Sequence, residues 1–183
     1  MNEVGQDIII RCKAGDKSAF RTLVQCYQQW LFGLGLKLLC DEEEAKDVVQ
    51  ETLIRVWQHL HDYDERRSFT AWIGTICTRL CMDRLRQLSH HDDSMVDVAL
   101  LDRLVDEEAP DTRLENQELA AVIETLIQGL STKQRTTFVL SQIEGYDSAT
   151  VSEMTGMSAE QIKSNLYVAR QTIRKRLKRL GYG

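Results

Sequence analysis

Apolar residues recur at intervals of three and four along most of the chain, the repeat expected of helices that bury one face. Residues 7–14 open with Ile8, Ile9 and Ile10. Asp16 or Ser18 can cap a second helix, in which Phe20, Leu23, Val24, Tyr27, Trp30 and Leu31 face inward. The repeat runs on through Leu34, Leu36, Leu38 and Leu39 to Cys40, and Asp41 caps a third helix. There Val48, Val49, Leu53, Val56, Trp57 and Leu60 share one side, while Asp47, Gln50, Glu51, Ile54 and Arg55 share the other. The charged run 62–67 breaks the periodicity and predicts a loop. From 69 to 88 a further helix buries Trp72, Ile73, Ile76, Leu80 and either Met82 or Leu85, turning Thr75, Arg79, Asp83, Arg86 and Gln87 outward.

Residues 91–115 read differently. Asp92, Asp93, Asp97, Asp102, Asp106, Glu107, Glu108, Asp111 and Glu115 face only Arg103 and Arg113, with short apolar islands at 96–101 and 104–105. Such a run predicts a flexible, solvated acidic linker. Periodicity then resumes with Leu119, Val122, Ile123 and Leu126, and Gly129 ends that helix. Ser131 caps the next, which carries Arg135, Phe138, Val139 and Leu140. After Gly145, Asp147 or Ser148 caps a short helix with Val151 and Met154 inward and small Ser152 at a helix crossing. Gly156 makes a turn, and Ser158 caps a last helix with Ile162, Leu166 and Ala169 inward. Two capped helices around a glycine turn form a helix-turn-helix. No alternating stretch of useful length predicts a strand, and Pro110 is the single proline. The expected architecture is therefore all-α: a helical domain 1–90, an acidic linker 91–115, and a second helical domain 116–183 containing the helix-turn-helix.

The net charge of -5 argues on average against a nucleic-acid binder, but its distribution reverses that inference. From residue 163 onward Lys163, Arg170, Arg174, Lys175, Arg176, Lys178 and Arg179 stand without an acid among them. On the last helix Gln161, Lys163, Ser164, Tyr167 and Arg170 offer amide, hydroxyl and cationic groups suited to base edges and phosphates. Cys12, Cys26, Cys40, Cys77 and Cys81 form an odd set without a CxxC pair, the pattern of buried free thiols in a reducing compartment. Cys77 and Cys81 sit one helical turn apart and His90 and His91 follow, yet these thiols occupy a core face and lack a second pair, so no metal is expected. Residues 1–7 are polar and acidic where a signal peptide would be basic, and no apolar run is long enough to span a bilayer, so a cytoplasmic protein without membrane insertion is expected. No glycine-rich phosphate loop, metal-spaced histidine pair or nucleophile motif is present, which leaves no catalytic residues and no cofactor to propose.

The string 45–57, AKDVVQETLIRVW, resembles the signature helix of the extracytoplasmic-function sigma factors of bacterial RNA polymerase. The resemblance continues through 68–73, SFTAWI, through 83–86, DRLR, and through the segment 130–177. It implies that Asp47, Gln50, Glu51, Ile54 and Arg55 bind core RNA polymerase, whose contacts in this family include the clamp helices and the flap. It implies that the loop and following helix capture and open the minus-ten promoter element, with Tyr63, Arg66, Arg67, Phe69, Arg79, Arg84 and Arg86 as contacts. Aromatics and cations together are what single-stranded DNA requires. Trp72 reads as a core residue. The helix carrying Gln161, Lys163, Ser164, Asn165, Tyr167, Arg170 and Arg174 would read the minus-thirty-five element. Departures from the family pattern are Arg79, where an asparagine is common, and Asn165 and Val168, where many members carry arginines. The resemblance further implies an anti-sigma factor as partner, promoter DNA as ligand, and a stress or envelope response. The competing reading is a stand-alone helix-turn-helix regulator that never joins polymerase; it leaves the 47–55 face and the acidic linker without a use.

Overall fold

The computed structural model describes residues 4–91, 124–127, 129–179 and 181. The expected linker 91–115, apart from the helical residue 91, and the stripe residues Leu119, Val122 and Ile123 lie outside the described residues. In chain order the helices are α1 (Gln6–Lys13), α2 (Lys17–Leu39), α3 (Glu42–His59, followed by a 3-10 turn Leu60–Asp62), α4 (Phe69–His91), α5 (Thr132–Phe138, continuing as a π turn Val139–Ile143), α6 (Ser148–Thr155) and α7 (Ala159–Arg179). Residues 124–127 are also helical. No strand occurs among the described residues.

Five of the starts, those of α2, α3, α5, α6 and α7, have a visible cause. Asp16 accepts the backbone N–H groups of Ser18 and Ala19, Asp41 that of Glu44, and Asp147 that of Thr150. Ser131 and Gln134 cap α5 reciprocally, and Ser158 and Gln161 make the same exchange before α7. These caps occupy donors that have no partner within the helix. At the end of α6 Gly156 takes φ 74°, where a side chain would meet the steric penalty of the left-handed region.

Asp16 also makes the fold pH-dependent. Hydrogen bonds from the Ser18 hydroxyl, then from Arg11, then from the Ala19 N–H hold its carboxyl well below the usual carboxylate range. A depressed folded pKa gives stability that is present above the unfolded value and lost as pH falls through the folded one. Wild-type protein is therefore expected to be more stable than Asp16→Asn at neutral pH. The difference should begin to shrink as pH falls below about 4 and disappear only well below that, as read from urea midpoints across an acid series.

α1 to α4 form one unit around Leu23, Tyr27, Leu31, Leu34, Leu38, Val48, Val56, Leu60, Ile73 and Cys77, all buried. Both Met82 and Leu85 are buried. Trp57, expected in this core, is instead 37% exposed: its ring stands edge-on to Phe20, with centroids 4.8 Å apart, and the fully buried positions of this part of α3 belong to the smaller Thr52 and Val56. Cys26 likewise departs from the expected burial and is exposed on α2.

The second unit, α5 to α7, buries Val139, Leu140, Val151, Met154, Met157, Ile162 and Ala169. Leu166 is only half-buried. The Ser152 hydroxyl donates to the Met157 carbonyl at 2.7 Å, tying the end of α6 to the turn. α6 and α5 pack on α4, so the units touch. Gly74 on α4 leaves room for the Met154 methyl and the Trp30 ring, each 3.0 Å from where a Cβ would stand. Arg67 pairs with Glu153 at 3.0 Å and Lys37 with Glu144 at 2.6 Å across this contact.

Candidate polymerase and promoter interface

On α3, Asp47, Gln50, Ile54 and Arg55 are exposed and Glu51 is half-exposed. Glu51 and Arg55 form an ion pair one turn apart. Ile54 is 56% exposed. Together with Leu53, Trp57, Phe20, Lys17 and Gln58 it lines an open apolar cleft of about 430 Å³ between α2 and α3. The signature face is thus a charged rim beside an apolar centre, the anatomy of a protein interface. Phe20, Leu53 and Trp57 are the part that periodicity assigned to the core.

The loop 63–68 is less open than its composition suggests. Tyr63 and Phe69 are both buried, edge to face with centroids 5.0 Å apart. Phe69 also meets Tyr27 at 5.5 Å and Trp72 at 5.5 Å. The Tyr63 hydroxyl donates to the Arg67 carbonyl at 2.5 Å, which closes the loop. Rather than standing free as a stacking platform, these rings form the floor of a cavity of about 280 Å³ rimmed by Gln6, Glu65, Arg67 and Ser68.

The cations of this region are mostly engaged. Arg66 is held by Asp64 at 2.9 Å, Arg84 by Glu44 at 3.5 Å, and Arg86 by Asp83 at 2.7 Å. Arg67 reaches Glu153 of the second unit. Among the described residues Arg79 has no ion-pair partner. It lines a second cavity of about 280 Å³ where α4 meets Thr155 and Gly156.

On α7 the residues Lys163, Ser164, Tyr167, Arg170 and Arg174 are exposed. Lys163, Tyr167, Arg170 and Arg174 repeat at four, three and four, forming one stripe. Tyr167 is 65% exposed. Arg170 donates to the Gln142 side chain at 2.7 Å, which fixes its direction relative to α5. Two expected contacts point elsewhere. The Gln161 side chain is committed to the cap of α7, and the Asn165 amide donates to the Gln161 carbonyl at 2.7 Å. Arg176 turns toward the Gly129 carbonyl at 3.5 Å and away from this stripe. A further apolar cleft of about 320 Å³, for which the sequence pattern offered no expectation, is lined by Leu126, Ile127, Phe138, Ile143, Ile173 and Leu177.

Two family models match this chain in order: sigma-70 region 2 over residues 23–91 and sigma-70 region 4 over residues 120–179. Across nearly its whole length it is 28% identical to the ECF RNA polymerase sigma factor SigW of Bacillus subtilis, covering 94% of this chain and 96% of that one. The chain belongs to the extracytoplasmic-function sigma factors. It is also 28% identical to the RNA polymerase sigma-H factor of Pseudomonas aeruginosa, over 97% of this chain and 96% of that one. Among solved structures, CnrH bound to the cytosolic domain of CnrY has the same fold, with TM-score 0.65 and 23% identity over 93% of this chain and 95% of that one. RpoE bound to the anti-sigma factor NepR, from Bartonella quintana, follows with TM-score 0.62 and 18% identity over 87% and 96%. As an alternative sigma factor the protein binds core RNA polymerase and promoter DNA and directs transcription initiation. α1 to α4 contain the region 2 match, and α5 to α7 lie within the region 4 match.

Proposed function

We propose that this sigma factor joins core polymerase through the α3 face, with Asp47, Gln50, Glu51 and Arg55 as the charged rim and Ile54 in the apolar centre. The observation that carries this is the cleft beside Ile54, an exposed apolar surface that the described residues leave uncovered. The cleft lined by Phe138 and Ile143 supplies a second docking point on the other unit, suited to the polymerase flap. Lys163, Ser164, Tyr167, Arg170 and Arg174 read the minus-thirty-five element from the major groove. Gln161 and Asn165 act there mainly by holding the helix start. The cavity floored by Tyr63 and Phe69 takes a base extruded from the minus-ten element, while Arg66, Arg67, Arg79, Arg84 and Arg86 follow the backbone.

Engagement of that strand by Arg67 competes with its ion pair to Glu153, so promoter DNA weakens the contact between the two units. The domain limits 1–90, 91–115 and 116–183 then describe two weak DNA contacts joined by a tether, which gain affinity through effective concentration. The factor works in the cytoplasm, without catalytic residues, metal or cofactor of its own, and polymerase performs nucleotide transfer. No described helix is long and apolar enough to cross a membrane. An anti-sigma factor, the kind of partner that NepR is to RpoE, restrains it until a stress signal arrives.

Binding of the full-length chain to core polymerase and to duplex promoter DNA, measured separately, tests the reading. Tight binding to core with weak, salt-sensitive binding to free duplex is expected. Tight operator binding by the isolated chain with no affinity for core would instead make it a stand-alone regulator.

A further inference from the structure

A buried cation crosses from the second helical unit into the first. Arg135 on α5 is 5% exposed, and its guanidinium donates to Sγ of Cys40 at the end of α2. Its Nε is buried and meets no acceptor. Among the described residues no carboxylate forms an ion pair with it. Burial pushes this guanidinium toward neutrality, while the thiols of Cys40 and Cys81 act in the opposite direction. A guanidinium withdrawn from water needs an anion beside it, and here sulfur occupies the place of the carboxylate.

The neighbouring groups narrow the choice of anion. Cys81 is fully buried and is kept protonated by its hydrogen bond with Cys77 and by burial. Lys37 is occupied by Glu144, and Asp41 caps α3. Cys40 is partly exposed, and its Sγ lies 4.0 Å from the Lys37 carbonyl, a long contact for a thiol proton. It is also the one described non-glycine residue with positive φ, 55°, a helix end where glycine or asparagine is usual. The backbone therefore gives no reason for a cysteine there.

We propose that Cys40 is a modification site: a thiolate, stabilised by Arg135 across the contact between the two units, that reacts with hydrogen peroxide and small soft electrophiles. With peroxide the sulfur attacks one oxygen, an S–O bond forms as the O–O bond breaks, and sulfur loses two electrons to become sulfenic acid. The departing hydroxide takes a proton from solvent and leaves as water. Because thiolate and cation belong to different units, the reactivity exists while the units are packed and falls when they separate.

The test is competitive alkylation of the reduced full-length protein with limiting iodoacetamide at neutral pH, read peptide by peptide by mass spectrometry. Cys26, more exposed and in the same molecule, is the internal reference. Cys40 is expected to react about tenfold faster than Cys26, and Arg135→Gln to abolish that advantage. After peroxide treatment, a sulfenic-acid-trapping diketone should label Cys40 in wild type. Equal or slower alkylation of Cys40 in wild type, or an advantage that survives in Arg135→Gln, overturns the proposal. If that variant does not fold, the pH profile of alkylation in wild type decides: an inflection for Cys40 below that for Cys26 supports the site, and one at or above it refutes it.

Discussion

Ile54→Glu is expected to abolish assembly with core polymerase while leaving the fold intact. Ile54 lies on the solvent side of α3, so its replacement removes no buried contact of the free protein. Surface changes of this kind shift stability by no more than about 0.5 kcal/mol. Ile54 lines the apolar cleft with Phe20, Leu53 and Trp57, and in the proposed docking it is covered by core polymerase. Truncating a central anchor costs about 2 kcal/mol or more, and burying an unpaired carboxylate there adds its desolvation. The loss should therefore exceed about thirtyfold in affinity. Asp47→Ala, on the rim, should act more weakly and chiefly on the association rate. Competition for core polymerase, alongside urea unfolding of each variant, checks both halves of the expectation. Equal affinity for Ile54→Glu and wild type would remove α3 as the docking face.

Tyr27→Ala is expected to have the largest effect on the first unit. The side chain is fully buried, its ring meets Trp30 at 6.1 Å and Phe69 at 5.5 Å, and its hydroxyl shares a hydrogen bond with Thr70 at 3.0 Å. Deleting a buried ring costs about 3–5 kcal/mol, because the transfer energy is lost and the cavity only partly collapses. Against a total of about 5–15 kcal/mol for a typical domain, little stability would remain. Phe69 would lose one wall, and with it Tyr63 and the floor of the loop cavity, so strand opening should fail at temperatures where the helices persist. Tyr27→Phe keeps the ring and should lose only about 1 kcal/mol. Urea unfolding of the pair separates the two contributions; a shift for Tyr27→Ala no larger than that for Tyr27→Phe would contradict the packing account.

The local choices were well marked in the chain. Asp16, Asp41, Ser131, Asp147 and Ser158 each begin a helix at the expected place, because a capping side chain acts within three residues of itself. The helix-turn-helix was equally legible, since Gly156 and the inward Val151, Met154 and Ile162 are set by short-range geometry. What periodicity could not resolve is where a helix face divides between core and cleft. Trp57 satisfies the apolar repeat of α3, yet its partner Phe20 lies on another helix and is itself only half-buried, which leaves Trp57 exposed at the cleft. Tyr63 and Phe69 read as an open aromatic loop because nothing nearby announces that Tyr27 will cover Phe69. Nothing in the sequence marks Arg135 as buried, because an arginine on an amphipathic helix is ordinarily solvated; its burial depends on the packing of the second unit against the first.

The most direct measurement is run-off transcription with bacterial core RNA polymerase, with and without this protein, on fragments of the source genome. Discrete transcripts that depend on the protein, that disappear with Asp47, Gln50 and Glu51 changed to alanine, and that weaken with Lys163→Ala are the predicted result. Transcripts identical with and without the protein, from a chain that remains folded, would contradict it.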